Sequence, residues 1–262
     1  MEPAKVRDAA RLMVEARRTG KRVPGLPQGC RPVTAVDANA IIDEVTRQMG
    51  EPIAGWKISF LYKPREKAFR APLFASRVFA SPARVPLSLT SSLLIEPEIT
   101  FRLTRDLPGR ERLYRPEEVA DAVEACASLE IVDTRFDTTN RTIQQMLDER
   151  ASRVEAYSDH ITNGAFIIGQ ARKDWRDLDF AVMRMRMSAD DKTIVETEGG
   201  HAFVDPFPGA VVLANELRRG QGLQAGQVVA TGSFSGFFPV QANQRITAEF
   251  DGVGEATAMF VP

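Results

Sequence analysis

Leu93-Leu94-Ile95-Glu96-Pro97-Glu98-Ile99-Thr100-Phe101-Arg102-Leu103 is the stretch on which the reading of this chain turns. Its alternation and its β-branched and aromatic residues predict a strand. On a strand, residues two apart share a face, with Cα atoms roughly 6.5–7 Å apart. Glu96 and Glu98 therefore project side by side between apolar neighbours. Two carboxylates in a shielded place repel each other unless a proton or a cation lies between them. A divalent cation resolves the conflict by drawing carboxylate oxygens together. Spacing alone also fits an edge strand with both glutamates in water, and Pro97 between them favours an edge or a bulge.

Two neighbouring stretches raise the same question. Ser128-Leu129-Glu130-Ile131-Val132-Asp133 sets Glu130 inside a short apolar strand (129–132), where an unpaired charge is costly. Glu130 is either a third oxygen ligand or the partner of an arginine such as Arg102 or Arg135. Upstream, Gly55-Trp56-Lys57-Ile58-Ser59-Phe60 predicts a strand that flanks Lys57 with a large aromatic and a β-branched residue. Desolvation and a nearby cation lower a lysine's pKa, so Lys57 reads as a proton-exchanging group near neutrality or as a snorkelling strand lysine. Thr231-Gly232-Ser233-Phe234-Ser235-Gly236 offers backbone N–H groups and hydroxyls that suit a carboxylate, though most such stretches are turns. It matches neither the dinucleotide fingerprint nor the phosphate loop. His201, among glycines, reads as structural.

The rest of the chain alternates helix and strand without a strict βαβ rhythm, which predicts an α+β fold on a mixed sheet. Val6, Ala9, Ala10, Met13 and Val14 predict a helix over 4–18. Thr34 caps a second over 36–49, with Ile41, Ile42 and Val45 inward and Gly50 at its end. The segment 63–70 reads as a basic surface loop. Helices are expected over 116–127, 142–151 and 206–219, and strands over 165–168, 227–231, 244–250 and 255–261. A hairpin is expected from 180–187 to 193–197. The N-terminal helices and first strands (1–90) are expected to precede a catalytic domain over 91–262.

Scarce residues exclude whole classes of chemistry. Cys30 and Cys126 are the only cysteines, so neither a disulfide framework nor a thiolate zinc site is expected. With two histidines, His160 and His201, any metal must be held mainly by oxygen, which points to magnesium or manganese. A balance of 34 basic against 35 acidic residues gives no reason to expect nucleic acid. No run nears the roughly 18 apolar residues of a membrane helix. The N-terminus lacks a signal-peptide core, and Glu2, Asp8 and Glu15 argue against a transit peptide, so the expected location is the cytoplasm.

Five pieces in order resemble the hydratase/decarboxylase family of meta-cleavage pathways, typified by 2-keto-4-pentenoate hydratase, within the fumarylacetoacetate hydrolase superfamily. They are Gly55-Trp56-Lys57-Ile58, Glu96-Pro97-Glu98-Ile99, Leu129-Glu130-Ile131-Val132-Asp133-Thr134-Arg135, Asn163-Gly164-Ala165-Phe166, and Thr231-Gly232-Ser233 through Gly236. The resemblance implies a superfamily β-roll with flanking helices and a homo-oligomer. It implies Glu96, Glu98 and Glu130 as ligands of Mg²⁺ or Mn²⁺, and Lys57 as the proton-transfer residue. Thr231, Gly232, Ser233 and Asn163 would hold a small 2-oxo or 2-hydroxydienoic acid. Such a site supports hydration of a 2-hydroxy-2,4-dienoate or decarboxylation of a 2-oxohexenedioate. A C–C hydrolase and a silent metal-binding partner subunit are the other readings. Where family hydratases carry acidic residues, this chain has Leu73-Phe74-Ala75-Ser76-Arg77, and Arg77 is expected to pair with a second substrate carboxylate.

Overall fold

Apolar residues at helical spacing form two N-terminal helices in the computed structural model, which describes residues 1–61 and 67–262: α1 (Pro3–Thr19) and α2 (Ala35–Met49). A capping box starts α2: the Thr34 side chain accepts from Asp37 N while the Asp37 carboxylate accepts from Thr34 N. Gly50, at φ 65°, ends it. Strands β1 (Ile53–Ser59), β2 (Phe69–Phe74), β3 (Val78–Ala80) and β4 (Ala83–Pro86) follow, then β5 (Leu94–Leu103) and β6 (Leu107–Pro108). A short α3 (Pro116–Ala120) leads into β7 (Val123–Val132), and α4 (Ile143–Asp148) and α5 (Arg150–Tyr157) precede β8 (Asn163–Arg172). The hairpin β9 (Arg184–Ala189) and β10 (Lys192–Glu198) is followed by α6 (Phe207–Leu217) and β11 (Gly222–Leu223). The last strands are β12 (Val228–Ser233), β13 (Phe238–Pro239), β14 (Ile246–Phe250) and β15 (Gly254–Val261).

A large mixed sheet runs β2-β1-β12-β5-β7-β8-β3, with β13 beside β5; a second sheet runs β10-β9-β14-β15-β4. Their facing sides share one core, to which Ile99, Phe101, Leu129 and Ile131 contribute from the first, and Met185, Met187, Ala248 and Ala256 from the second. Because strand side chains alternate, the residues between these apolar ones turn to the other face of the large sheet. That face carries Leu73, Phe166, Val228 and Ala230. Residues of α2 and α5 cover its β2 end through Ile42, Val154, Phe69 and Ala71. Period two thus consigns Glu96, Glu98 and Glu130 to a buried face away from the main core.

Two sequence expectations need correction, the helix over 116–127 and the edge position of Pro97. The helix over 116–127 ends at Ala120, and β7 begins at Val123. Every residue of β7 is buried, so the strand lacks the polar alternation that separates strand from helix in sequence. The basic loop at 63–70 falls partly on residues 62–66, outside the described ones, while Phe69 and Arg70 already belong to β2. Strands from before and after residue 90 share both sheets: β1 lies between β2 and β12, and β4 pairs with β15. Pro97 does not mark an edge. β5 is interior, and the bulge belongs to β12, opposite Glu98 to Thr100 and next to Pro97.

Gly55 sets the spacing of β1 and β12. A Cβ there would lie 2.5 Å from Val228 O, its register partner in this parallel pair. Gly55→Ala is expected to force the strands apart at a cost of about 1–3 kcal/mol, lowering Tm by on the order of 5 °C in a thermal melt. An unchanged Tm would show that the pair has slack.

Candidate metal centre

The site follows from strand register. Glu96 on β5 lies directly opposite Glu130 on β7, and Glu98 is two residues along the same face. Lys57 pairs with Ala230 on β12, and Ala230 with Thr100 on β5, so its side chain rises from the same face two strands away. Between Ala230 and Ser233 the β12 register slips against β5, a bulge that aims Gly232 N at Glu98 Oε2 (3.3 Å). The outcome is three buried carboxylates whose nearest oxygens lie within 4.8 Å of one another.

Lys57 is buried with them. Its ammonium donates to Glu130 Oε2 and lies 3.6 Å from Glu96 Oε1. Asn163 Nδ2 donates to Glu130 Oε1 (2.8 Å). Glu98 Oε1 is buried with no partner among the described residues. One ammonium against three carboxylates leaves two negative charges uncompensated in a place shielded from water. The donor set is therefore that of a hard divalent cation: all oxygen, anionic, and with one oxygen still lacking a partner. The residues present fit such an ion.

In the absence of an ion, protons take its place. Burial pushes Glu96 up to about 8, and Glu98 and Glu130 up to about 7, against the opposing pull of Lys57. In the metal-free protein the anions around Lys57 decide its state. Burial acts to lower it, but Glu130, Glu96 and Glu98 outweigh burial and hold it above its ordinary value, as an ammonium.

These shifts set a pH dependence. Between the ordinary carboxyl value of 4.5 and about 8, the folded metal-free protein binds protons that the unfolded chain does not. Stability therefore falls as pH rises through 7–8. The buried histidines His160 and His201, both lowered by burial, act only below about pH 6.5. Chelator-treated protein is expected to melt several degrees lower at pH 8.5 than at pH 6.5, and added Mg²⁺ to restore more at pH 8.5. A flat profile would contradict the charge imbalance.

A cavity of about 450 Å³ opens above the cluster, lined by Lys57, Glu96, Ser59, Tyr157, Thr162 and Arg153 among others. Thr231, Gly232 and Ser233 also line it, although Thr231 Oγ1 donates to Ile99 O (3.2 Å) and Ser233 Oγ to Pro97 O (3.3 Å). Their clearest contact with the cluster is the Gly232 N–H on Glu98. Asn163 touches Glu130 and is not among the residues lining this cavity. Arg77 does not reach it either. Its guanidinium donates to Leu89 O and faces a different cleft, so the expected pairing with a substrate carboxylate here is not met. Its backbone lies in the turn Ala75–Arg77 after β2.

Other lining residues carried no sequence signal. His160, Ile161 and Thr162 hold consecutive left-handed conformations (φ 52°, 55° and 56°), a costly arrangement for β-branched residues that brings Ile161 and Thr162 to the cavity wall. Tyr157 and Arg153 come from α5. His201 also lines the cavity. Its Nδ1 accepts from Phe203 N (3.3 Å), which leaves Nε2 to donate to Thr231 O (3.1 Å) and brace the turn against Glu98.

No family model matches the chain. It is 26 % identical over 262 residues to the 2-keto-4-pentenoate hydratase of Burkholderia vietnamiensis, covering 96 % of this chain and 95 % of the relative. It is 29 % identical over 265 residues to the 2-hydroxyhexa-2,4-dienoate hydratase of Comamonas testosteroni, covering 95 % and 94 %. The fold is that of the 4-oxalocrotonate decarboxylase from Pseudomonas putida G7, solved with magnesium and adipate, at a TM-score of 0.78 and 20 % identity, covering 100 % and 99 % of the two chains.

Proposed function

We propose that this chain, homologous over nearly its full length to the 2-keto-4-pentenoate hydratases, is a divalent-metal-dependent lyase that adds water to a 2-hydroxy-2,4-dienoate. The buried carboxylate triad with its unpartnered oxygen, beneath a cavity of substrate size, is the observation that carries this reading. Glu96, Glu98 and Glu130 would hold Mg²⁺ or Mn²⁺. When bound, the ion supplies Lewis acidity toward the carboxylate and 2-oxygen of the substrate, stabilising negative charge there.

The remaining work falls to the chain itself. Lys57 Nζ, a charged donor beside Glu96 and Glu130, delivers a proton to C5 of the dienol as the 2-hydroxyl loses its own. The resulting enone takes the oxygen of water at C4 and a proton at C3, so one water is added in all. The Thr231–Ser233 turn fixes Glu98 and forms one wall. Asn163 holds Glu130 in place. On this reading the enzyme would act in the cytoplasm, as a homo-oligomer in aromatic catabolism. No helix among the described residues is long and apolar enough to cross a membrane.

Two features of the cavity favour decarboxylation of a 2-oxohexenedioate as the second reading. Arg153 lines it and bonds only to the backbone carbonyls of Leu147 and Leu61 among the described residues, leaving its charge for a distal carboxylate. No described carboxylate beyond the cluster lines the cavity to activate water. The test is to follow the ultraviolet absorbance of 2-hydroxypenta-2,4-dienoate and of 2-oxohexenedioate with Mg²⁺ or Mn²⁺, identifying products by NMR. Loss of the first to a 4-hydroxy-2-oxo acid supports hydration, and loss of the second with carbon dioxide release supports decarboxylation. If the metal binds and neither is consumed, the chain is a silent subunit.

A further inference from the structure

A second cavity, of about 350 Å³, shares no lining residue with the first. It lies between the C-terminal end of α1, the turn after β2, the segment before β5 and the residues after β7. Arg17, Arg18, Lys21, Arg22, Arg77 and Arg135 line it, with Asp133 the one acidic residue among the described ones there. In a chain of net charge −1, such a concentration of positive charge needs a reason.

The internal pairing does not balance it. Arg22 has Asp133, at 2.8 Å. Arg17 and Arg135 share a single carboxylate, reaching the same Oδ1 of Asp159 at 3.0 and 2.8 Å. Arg77 donates to the backbone carbonyl of Leu89 and makes no ion pair among the described residues. Four guanidinium groups thus meet two carboxylates. The Arg17 side chain is only 9 % exposed, and its Nε is buried with no partner among the described residues. Burial, Arg135 and Arg77 pull Arg17 below its usual value, and burial and Arg135 do the same to Arg77. Like charges held together out of water are costly unless an anion joins them.

We infer that this cavity is a binding site for a phosphate group, as the free ion or as a phosphate monoester. Unpaired guanidinium N–H groups reach it from two separate elements, at Arg17 on α1 and Arg77 after β2, while Arg135 after β7, whose Nε and both Nη donate to Asp159 and to the Asn163 carbonyl, adds positive charge. A planar monocarboxylate is satisfied by one fork, whereas a tetrahedral dianion presents oxygens to several. The volume exceeds that of a bare phosphate and leaves room for a small esterified group. The site is independent of the metal centre, so it stands or falls separately from the proposed lyase activity.

Isothermal titration of the Mg²⁺-loaded protein with inorganic phosphate, at constant ionic strength, tests it. Saturable binding at one site per chain with a submillimolar Kd is expected. Arg77→Gln, a change at a half-buried position, should weaken it at least tenfold, with Arg77→Lys intermediate. Acetate should bind at least tenfold more weakly than phosphate. Glu98→Gln should leave phosphate binding intact. Glycerol 3-phosphate distinguishes the two forms of ligand: tighter binding than phosphate points to an ester, equal or weaker binding to the free ion, and either supports the site. Absence of saturable binding, equal affinity for acetate, indifference to Arg77→Gln, or loss of binding in Glu98→Gln (which would place phosphate on the metal) would each overturn it.

Discussion

Glu98→Gln is expected to lower metal-dependent turnover by on the order of 10³-fold or more, while the metal-free protein melts no lower than wild type. Glu98 is fully buried, and its Oε1 has no partner among the described residues. Glutamine keeps the shape and can still accept from Gly232 N, the contact that Glu98 Oε2 makes at 3.3 Å. It also removes one of two uncompensated negative charges and offers an amide donor to the neighbouring carboxylates. A site that existed only for structure would therefore tolerate or welcome the change. A site that exists to bind a cation loses a third of its anionic ligands. Turnover close to wild type would remove Glu98 from the ligand set.

Lys57→Met should give the opposite pattern. Deleting the ammonium leaves three buried carboxylates with no cation, and breaking a buried pair costs about 3–5 kcal/mol. The metal-free variant should melt well below wild type at pH 8.5, where the carboxylates must either ionise without an ammonium or hold protons against the solvent, and regain most of the loss at pH 6.5 or with saturating Mg²⁺. Metal affinity should hold or rise, because a competing positive charge has gone. Turnover should nonetheless fall by about 10²–10⁴-fold, as for loss of a proton-transfer group. The two variants thus separate holding the ion from moving the proton. Full activity in the metal-loaded Lys57→Met protein would dismiss Lys57 from catalysis.

Sequence periodicity carried the parts of this site that lie on strands. Glu96 and Glu98 are two residues apart on β5, and Glu130 interrupts an apolar run on β7, so the residues advertise a polar cluster on a buried face. The pairing of Glu96 with Glu130 is a long-range register that no local pattern encodes. Family resemblance had to supply it. The role of Pro97 was half legible: it signalled an edge or a bulge, and only the topology shows that the bulge belongs to β12 while β5 is interior. The charge state of Lys57 in the metal-free protein was not legible, because it depends on anions from other strands rather than on its sequence neighbours.

Elsewhere, burial concealed the pattern. The alanines and small residues of β7 look helical in isolation, and tertiary burial on both faces overrides that preference. The left-handed turn at His160–Thr162 contains no glycine or asparagine that could announce it. Arg77 was legible as a departure, yet its destination was not, since the turn after β2 decides which cavity it faces.

The most direct test is anomalous diffraction from a crystal soaked in manganese, recorded at the manganese edge. We expect one dominant peak per chain, bound by carboxylate oxygens of Glu96, Glu98 and Glu130, with Lys57 still beside Glu130 or Glu96. A site left without a peak at saturating manganese, its three glutamates neutralised by protons and Lys57 alone, would contradict the account.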